Sequence, residues 1–123
     1  MQVSSKVYEG SVGNNTEWSE MSFRYCEFKD VTTEGAHVDS EFVRCKFADC
    51  DFYWGLFNLA VFIGVKFENC KFRGCSFADC IFVECEFRHC DFVFDNLGGN
   101  CSFDGTRWYG CKQYESIGIE STF

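Results

Sequence analysis

From Phe42 to Phe92 a phenylalanine stands at every fifth position: Phe42, Phe47, Phe52, Phe57, Phe62, Phe67, Phe72, Phe77, Phe82, Phe87 and Phe92, with Leu97 continuing the series. Period five suits neither regular element. On an α-helix, at about 100° per residue, each fifth residue is displaced by about 140°, so the rings would spray around the axis. On a flat strand an odd spacing alternates faces, and Phe67 and Phe72 would point in opposite directions. These rings can meet in one core only if the chain turns a corner within every group of five.

A second series stands two residues before the first: Ser40, Cys45, Cys50, Gly55, Ala60, Val65, Cys70, Cys75, Cys80, Cys85, Cys90 and Asp95. It is small throughout, and all ten cysteines of the chain fall in it or in its continuations. The pattern continues in a shifted register upstream (Thr16/Trp18, Met21/Phe23, Cys26/Phe28, Val31/Thr33, Ala36/Val38) and downstream (Cys101/Phe103, Thr106/Trp108, Cys111/Gln113). One residue is lost between Val38 and Phe42, and one is gained between Leu97 and Phe103. Short-strand alternation points the small residue and the centre inward, and the residue between them and the two after the centre outward. The chain then winds as a solenoid whose coils pair by parallel hydrogen bonds, and the absence of proline leaves every rung its N–H.

These C-x-F-x-x units, from about Met21 to Gln113, resemble the pentapeptide repeat family. The resemblance implies an all-β fold, a right-handed quadrilateral parallel β-helix with four pentads per coil. About nineteen pentads make nearly five coils, a prism of roughly 24 Å at the spacing of parallel strands. Residues 1–15 lack the pattern and are expected to form an N-terminal cap, residues 16–113 the β-helix, and residues 114–123 a C-terminal cap over the other open end.

The net charge of −8 argues against nucleic acid or an anionic membrane as a direct partner, since both are polyanions. The N-terminus MQVSSKVYEG has no basic start and no apolar h-region, and no apolar run is long enough to span a bilayer. A cytoplasmic protein with reduced thiols is therefore expected. The C-x4-C spacing is not that of a zinc site, and thiols buried among phenyl rings are small hydrophobes, so no metal, cofactor or redox role is expected. His89 points out where Cys90 points in, and no nucleophile elbow, phosphate loop or dinucleotide fingerprint occurs, so no catalytic residues are expected. Asp95 is the one charge at a small inward position of the continuous run, beside Asn96–Asn100, where a carboxylate would cap backbone N–H groups freed by the interrupted coil.

The outward positions carry the remaining information. Taken twenty apart, the side centred on Phe42, Phe62 and Phe82 presents Glu41, Val61 and Ile81 before the centres and Val43, Ile63 and Val83 after them. The next side presents Lys46, Lys66, Glu86, Ala48, Glu68 and Arg88, an ordinary charged face. Grouping by fifteen destroys this segregation, which supports four sides. An aliphatic stripe of Val43, Val61, Ile63, Ile81 and Val83, bordered by Leu56 and Leu59, is the expected protein-binding surface. Tyr53, Trp54, Val93 and Phe94 add a second outward cluster of the aromatic kind enriched at binding hot spots.

The expected function is a non-catalytic protein-binding module of the inhibitor or immunity type, whose partner is a toxin or a nucleic-acid-processing enzyme. Two alternatives stand beside it, the first of them implied by the family resemblance. Some members imitate DNA and protect gyrase from quinolones; here charge is concentrated at one end, with three Lys/Arg against seven Asp/Glu over residues 1–40, and no long loop insertion is expected. The other alternative is a self-assembling structural protein, a homodimer through the stripe or an end.

Overall fold

The computed structural model describes residues 2–14, 17–95, 97 and 99–119; Thr16 of the expected repeat, and the outer ends of both expected caps, lie outside these. Every strand pairing among the described residues is parallel, and there is no helix. Between residues 46 and 93 each strand is three residues long and pairs with the strand twenty residues away: Phe47 with Phe67, Phe67 with Phe87, Phe52 with Phe72 and Phe72 with Phe92. Four strands complete each such coil, so the solenoid has four sides. We number the sides in chain order from the one carrying Val61–Ile63, followed by Lys66–Glu68, Lys71–Arg73 and Ser76–Ala78.

The period of five is explained at the corners. The second residue after each centre takes a left-handed conformation: Arg44, Asp49, Trp54, Leu59, Gly64, Asn69, Gly74, Asp79, Glu84 and His89 all have φ between 51° and 60°. A strand of three, a left-handed corner residue and a buried small residue make one unit, and each unit turns the chain onto the next side. Every phenylalanine from Phe23 to Phe92 is buried. Their rings stack along the shaft, Phe42 on Phe62 at 5.0 Å, Phe62 on Phe82 at 4.7 Å and Phe82 on Trp108 at 4.3 Å, because the ladder spacing of about 4.8 Å matches the spacing of stacked rings. Burying each ring contributes roughly 1.5–3 kcal/mol before chain entropy is counted.

The small positions do more than leave room. Cys45, Cys50, Cys70, Cys75, Cys80, Cys85 and Cys90 each donate S–H to the carbonyl of a phenylalanine in the preceding coil, at 3.2–3.4 Å. Thr106 and Ser116 donate O–H to Phe77 and Phe87 in the same way, at 2.8 and 3.2 Å. A cysteine here is thus a hydrophobe that also ties coil to coil.

Two breaks interrupt the period. Upstream, the coils are nineteen residues apart (Phe23 with Phe42, Phe28 with Phe47), as the missing residue requires. Downstream, Ser76 bridges Ser102, Ile81 pairs with Arg107 and Glu86 with Lys112, a step of twenty-six. The expected single extra residue is therefore an insertion of six, and a loop leaves the shaft after Val93. Leu97, expected as a pentad centre, is 83 % exposed on that loop. Asp95 likewise leaves the inward slot above Cys75, and Cys101 takes it, its thiol donating to Phe72 O at 3.1 Å.

Both expected caps continue the ladder. Gln2–Ser4 pairs with residues 22–24 and Val7–Asn14 with the strand Glu27–Glu34, while Tyr8 stacks on Phe28 at 5.0 Å. At the other end Ile117 bridges Asp91 and Ile119 is buried.

Candidate protein-binding surface

On the first side two columns run along the shaft. Register pairing places Val43, Ile63, Val83 and Tyr109 in one, and Glu41, Val61, Ile81 and Arg107 in the other. The five aliphatic residues are half-buried: each is flanked by its ladder neighbours and turned outward, since the centres between them fill the core. The surface is therefore regular and apolar, with branched side chains already limited in rotamer freedom. Arg24 and Glu41 close its N-terminal end as an ion pair at 3.1 Å. Leu59 and Tyr25, 64 % and 62 % exposed, stand on its two edges as left-handed corner residues.

At the edge shared with the second side, Gly64 interrupts the corner column between Arg44 and Glu84. The result is a notch of about 180 Å³ lined by Arg44, Ile63, Gly64, Lys66, Glu84 and Glu86. The Arg44 stem lies across it, since a Cβ on Gly64 would meet Arg44 Cγ at 3.5 Å.

The aromatic cluster lies on the third side, opposite the stripe, so the two groups of expected site residues cannot form one patch. Tyr53 and Trp54 rings are 4.6 Å apart, and the Arg73 guanidinium sits 5.3 Å over the Tyr53 ring. Asp51 fixes that guanidinium with two hydrogen bonds, at 2.7 and 3.2 Å. Trp54 donates Nε1–H to Asp95 at 2.6 Å, and the other carboxylate oxygen accepts from Leu97 N and Gly99 N, both at 2.8 Å. The capping role expected of Asp95 is thus present, with a tether to Trp54 added. Gly74 makes the tether possible: a Cβ there would lie 2.8 Å from Asp95 Cβ. Phe94 and Leu97 project from the loop so anchored.

Sequence reasoning missed Tyr109, Tyr25 and the loop. Tyr109 belongs to the stripe only when the step of twenty-six is known. The corner pattern was available, because Gly, Asn or Asp recur there (Asp30, Gly35, Asp49, Gly64, Asn69, Gly74, Asp79), the residues that tolerate φ near +55°.

Among the described residues no group of three or more His, Cys, Asp or Glu is placed to hold a metal ion. Burial pushes the thiols of Cys45 and Cys80 up to about 11 and holds that of Cys75 well above the ordinary range, so these sulfurs are protonated and poor nucleophiles. His89 faces outward to Glu115, at 3.3 Å, away from Cys90. No helix among the described residues is long and apolar enough to cross a membrane.

Residues 42–91 match the family model of pentapeptide repeats, in nine copies. Over these residues the chain is a pentapeptide repeat. Solved structures of the same fold include two trypsin-treated variants of QnrB1, a plasmid-mediated fluoroquinolone resistance protein. They superpose with TM-scores of 0.56 and 0.62 at 15% identity, covering 89% of this pentapeptide repeat chain and 68% and 69% of their own. A pentapeptide repeat protein from the cyanobacterium Cyanothece 51142 gives 0.44 at 9% identity, over 93% of this chain and 86% of its own. At 15% identity the likeness to the two QnrB1 variants is one of fold. A search of curated proteins returns no match.

Proposed function

We propose that this pentapeptide repeat protein is a non-catalytic protein-binding module that works by surface complementarity. The observation that carries the reading is the first side, where five branched aliphatic residues stand in register on a rigid ladder facing outward. Burying such a surface costs little side-chain entropy, and it gains the apolar transfer energy that a charged side forgoes. In its finer form the module is a small inhibitor of the immunity type, occupying the working surface of a toxin or a nucleic-acid-processing enzyme. Its acidic N-terminal third steers a basic partner.

The test is affinity capture with the wild type and with Val61→Asp/Ile63→Asp, the fold of each checked by circular dichroism. A protein held by the wild type and lost by the folded variant supports the reading. Retention of the same protein by both sinks the first side as the site and makes Tyr53, Trp54 and Phe94 the next residues to change.

The second reading is a topoisomerase protector, favoured by the fold likeness to QnrB1 and by the net charge of −8. The second side weakens it, since Lys46, Lys66 and Lys112 stand there among Glu27 and Glu86 in one column. A gyrase supercoiling assay with a quinolone decides the matter: no protection at micromolar protein removes this alternative.

A further inference from the structure

We propose that the occupant of the aliphatic side is a second copy of this chain, laid face to face and antiparallel about a two-fold axis that lies in the interface, over the Val61–Ile63 strand and parallel to it. The proposal rests on the reading of that side as a protein-binding surface and makes a second copy, in place of a toxin or a nucleic-acid-processing enzyme, what binds it. It comes from a symmetry in one of the side's two columns, while the other sets Glu41, held by Arg24, against Ile81 of the second copy. Read along the shaft, the column Val43, Ile63, Val83 is the same in both directions. An axis at the middle strand therefore sets Val43 against Val83 of the other copy and Ile63 against Ile63, which is the self-complementarity a two-fold interface requires.

The corner column beside it, Arg44, Gly64 and Glu84, inverts its charge over the same interval. Antiparallel packing keeps each edge against its own counterpart, so Arg44 of each copy meets Glu84 of the other, with the two glycines between them. Arg44 and Glu84 make no ion pair within the chain among the described residues, and they stand two strand spacings apart, roughly 10 Å. On the opposite edge Leu59 meets Leu59. Asp39 and Asp79 approach each other there, and Asp39 is turned back onto Glu20 N at 3.1 Å. The parallel alternative is worse, because it brings the Glu84 edge against Asp79. One side of a prism about 24 Å long offers less than the roughly 800 Å² per partner of a standard interface, so a dimer of micromolar affinity is expected.

Sedimentation equilibrium from about 5 to about 500 µM, spanning that affinity range, tests the proposal. The expected result is a reversible monomer–dimer equilibrium that either Arg44→Glu or Glu84→Arg weakens at least about tenfold, and that the combined variant restores to within about threefold. Both positions are exposed, so the variants keep the fold. A wild type that stays monomeric throughout overturns the proposal. So does a dimer indifferent to either single change, or one that the charge swap fails to restore. A monomer that still loses a captured protein on Val61→Asp/Ile63→Asp defeats this inference and leaves the binding module standing. A swap-dependent dimer whose capture of another protein ignores that double variant confirms self-pairing and moves the other partner to the aromatic side.

Discussion

The corner at Ser40 and the corner at Asp95 depart from a twenty-residue coil in opposite directions, and each is repaired by a side-chain oxygen. At the first, where a residue is missing, Asp39 accepts from Glu20 N at 3.1 Å and Ser40 accepts from Met21 N at 3.2 Å while donating to Trp18 O. At the second, six residues are looped out and one carboxylate gathers Leu97 N, Gly99 N and the Trp54 indole. At the shortened corner the buried Ser40 closes on the core, with the exposed Asp39 beside it; the lengthened corner reaches outward. The ladder thus tolerates a change of length at a corner provided that the orphaned N–H groups find an acceptor there. What differs is whether the repair is spent on packing or on holding a loop away from the shaft.

Four experiments press on that contrast. The largest effect is expected where neither repair operates: Phe72→Ala, in the unbroken shaft, costs about 4 kcal/mol in urea denaturation, and Phe103→Ala, half-buried beyond the loop, about half as much. If the two cost the same, the loop does not mark a weaker end. Next, removing Asp95–Asn100 restores the twenty-residue step, whereas removing Asp95–Gly99 leaves one uncapped residue. The shorter deletion is expected to be less stable by about 1–3 kcal/mol, the cost of orphaned donors. Equal stabilities would show that an extra residue needs no acceptor.

The two repairs can also be removed singly. Ser40→Ala is expected to cost about 2 kcal/mol and Asp95→Ala about 1, although the carboxylate makes more bonds, because water replaces what the half-exposed Asp95 loses and cannot reach Met21 N. Hydrogen exchange adds the location: protection falls at Met21 in the first variant and at Leu97 and Gly99 in the second. The smallest effect is at an unbroken corner, where Leu59→Asn relieves the left-handed strain at φ 58° and stabilises the shaft by about 0.5 kcal/mol. The same change loosens any complex formed on the first side, so rising stability with falling affinity would separate the two demands on this residue.

Period and alternation made the solenoid legible, because each inward residue repeats with its neighbours. The loop was illegible for an arithmetic reason. An insertion of six and an insertion of one are the same modulo five, so a whole pentad can leave the shaft without disturbing the count. Leu97 falls at a centre position by that coincidence, and Asp95 at a small one. Their surroundings gave some warning, since a carboxylate in a column of thiols and the run Gly98–Gly99 both fit a loop better than a coil. The outward stripe could be read only as far as the register was known, so it stopped at Val83 and omitted Tyr109. Tyr25 was overlooked because corners were not recognised as a third class of position, neither core nor flat side.

The hydrogen bonds of this ladder all run along the shaft from coil to coil. Under tension applied at the two termini they are loaded one after another, so the molecule yields by unspooling from an end instead of shearing as a unit. Each event frees one coil, a gain in contour of about 70 Å for twenty residues at about 3.5 Å each. The coil that carries the loop stores six residues more and frees about 90 Å. A pulling experiment would then record the chain as a sequence of near-equal steps with one long interval, a mechanical signature of the place where the repeat was broken.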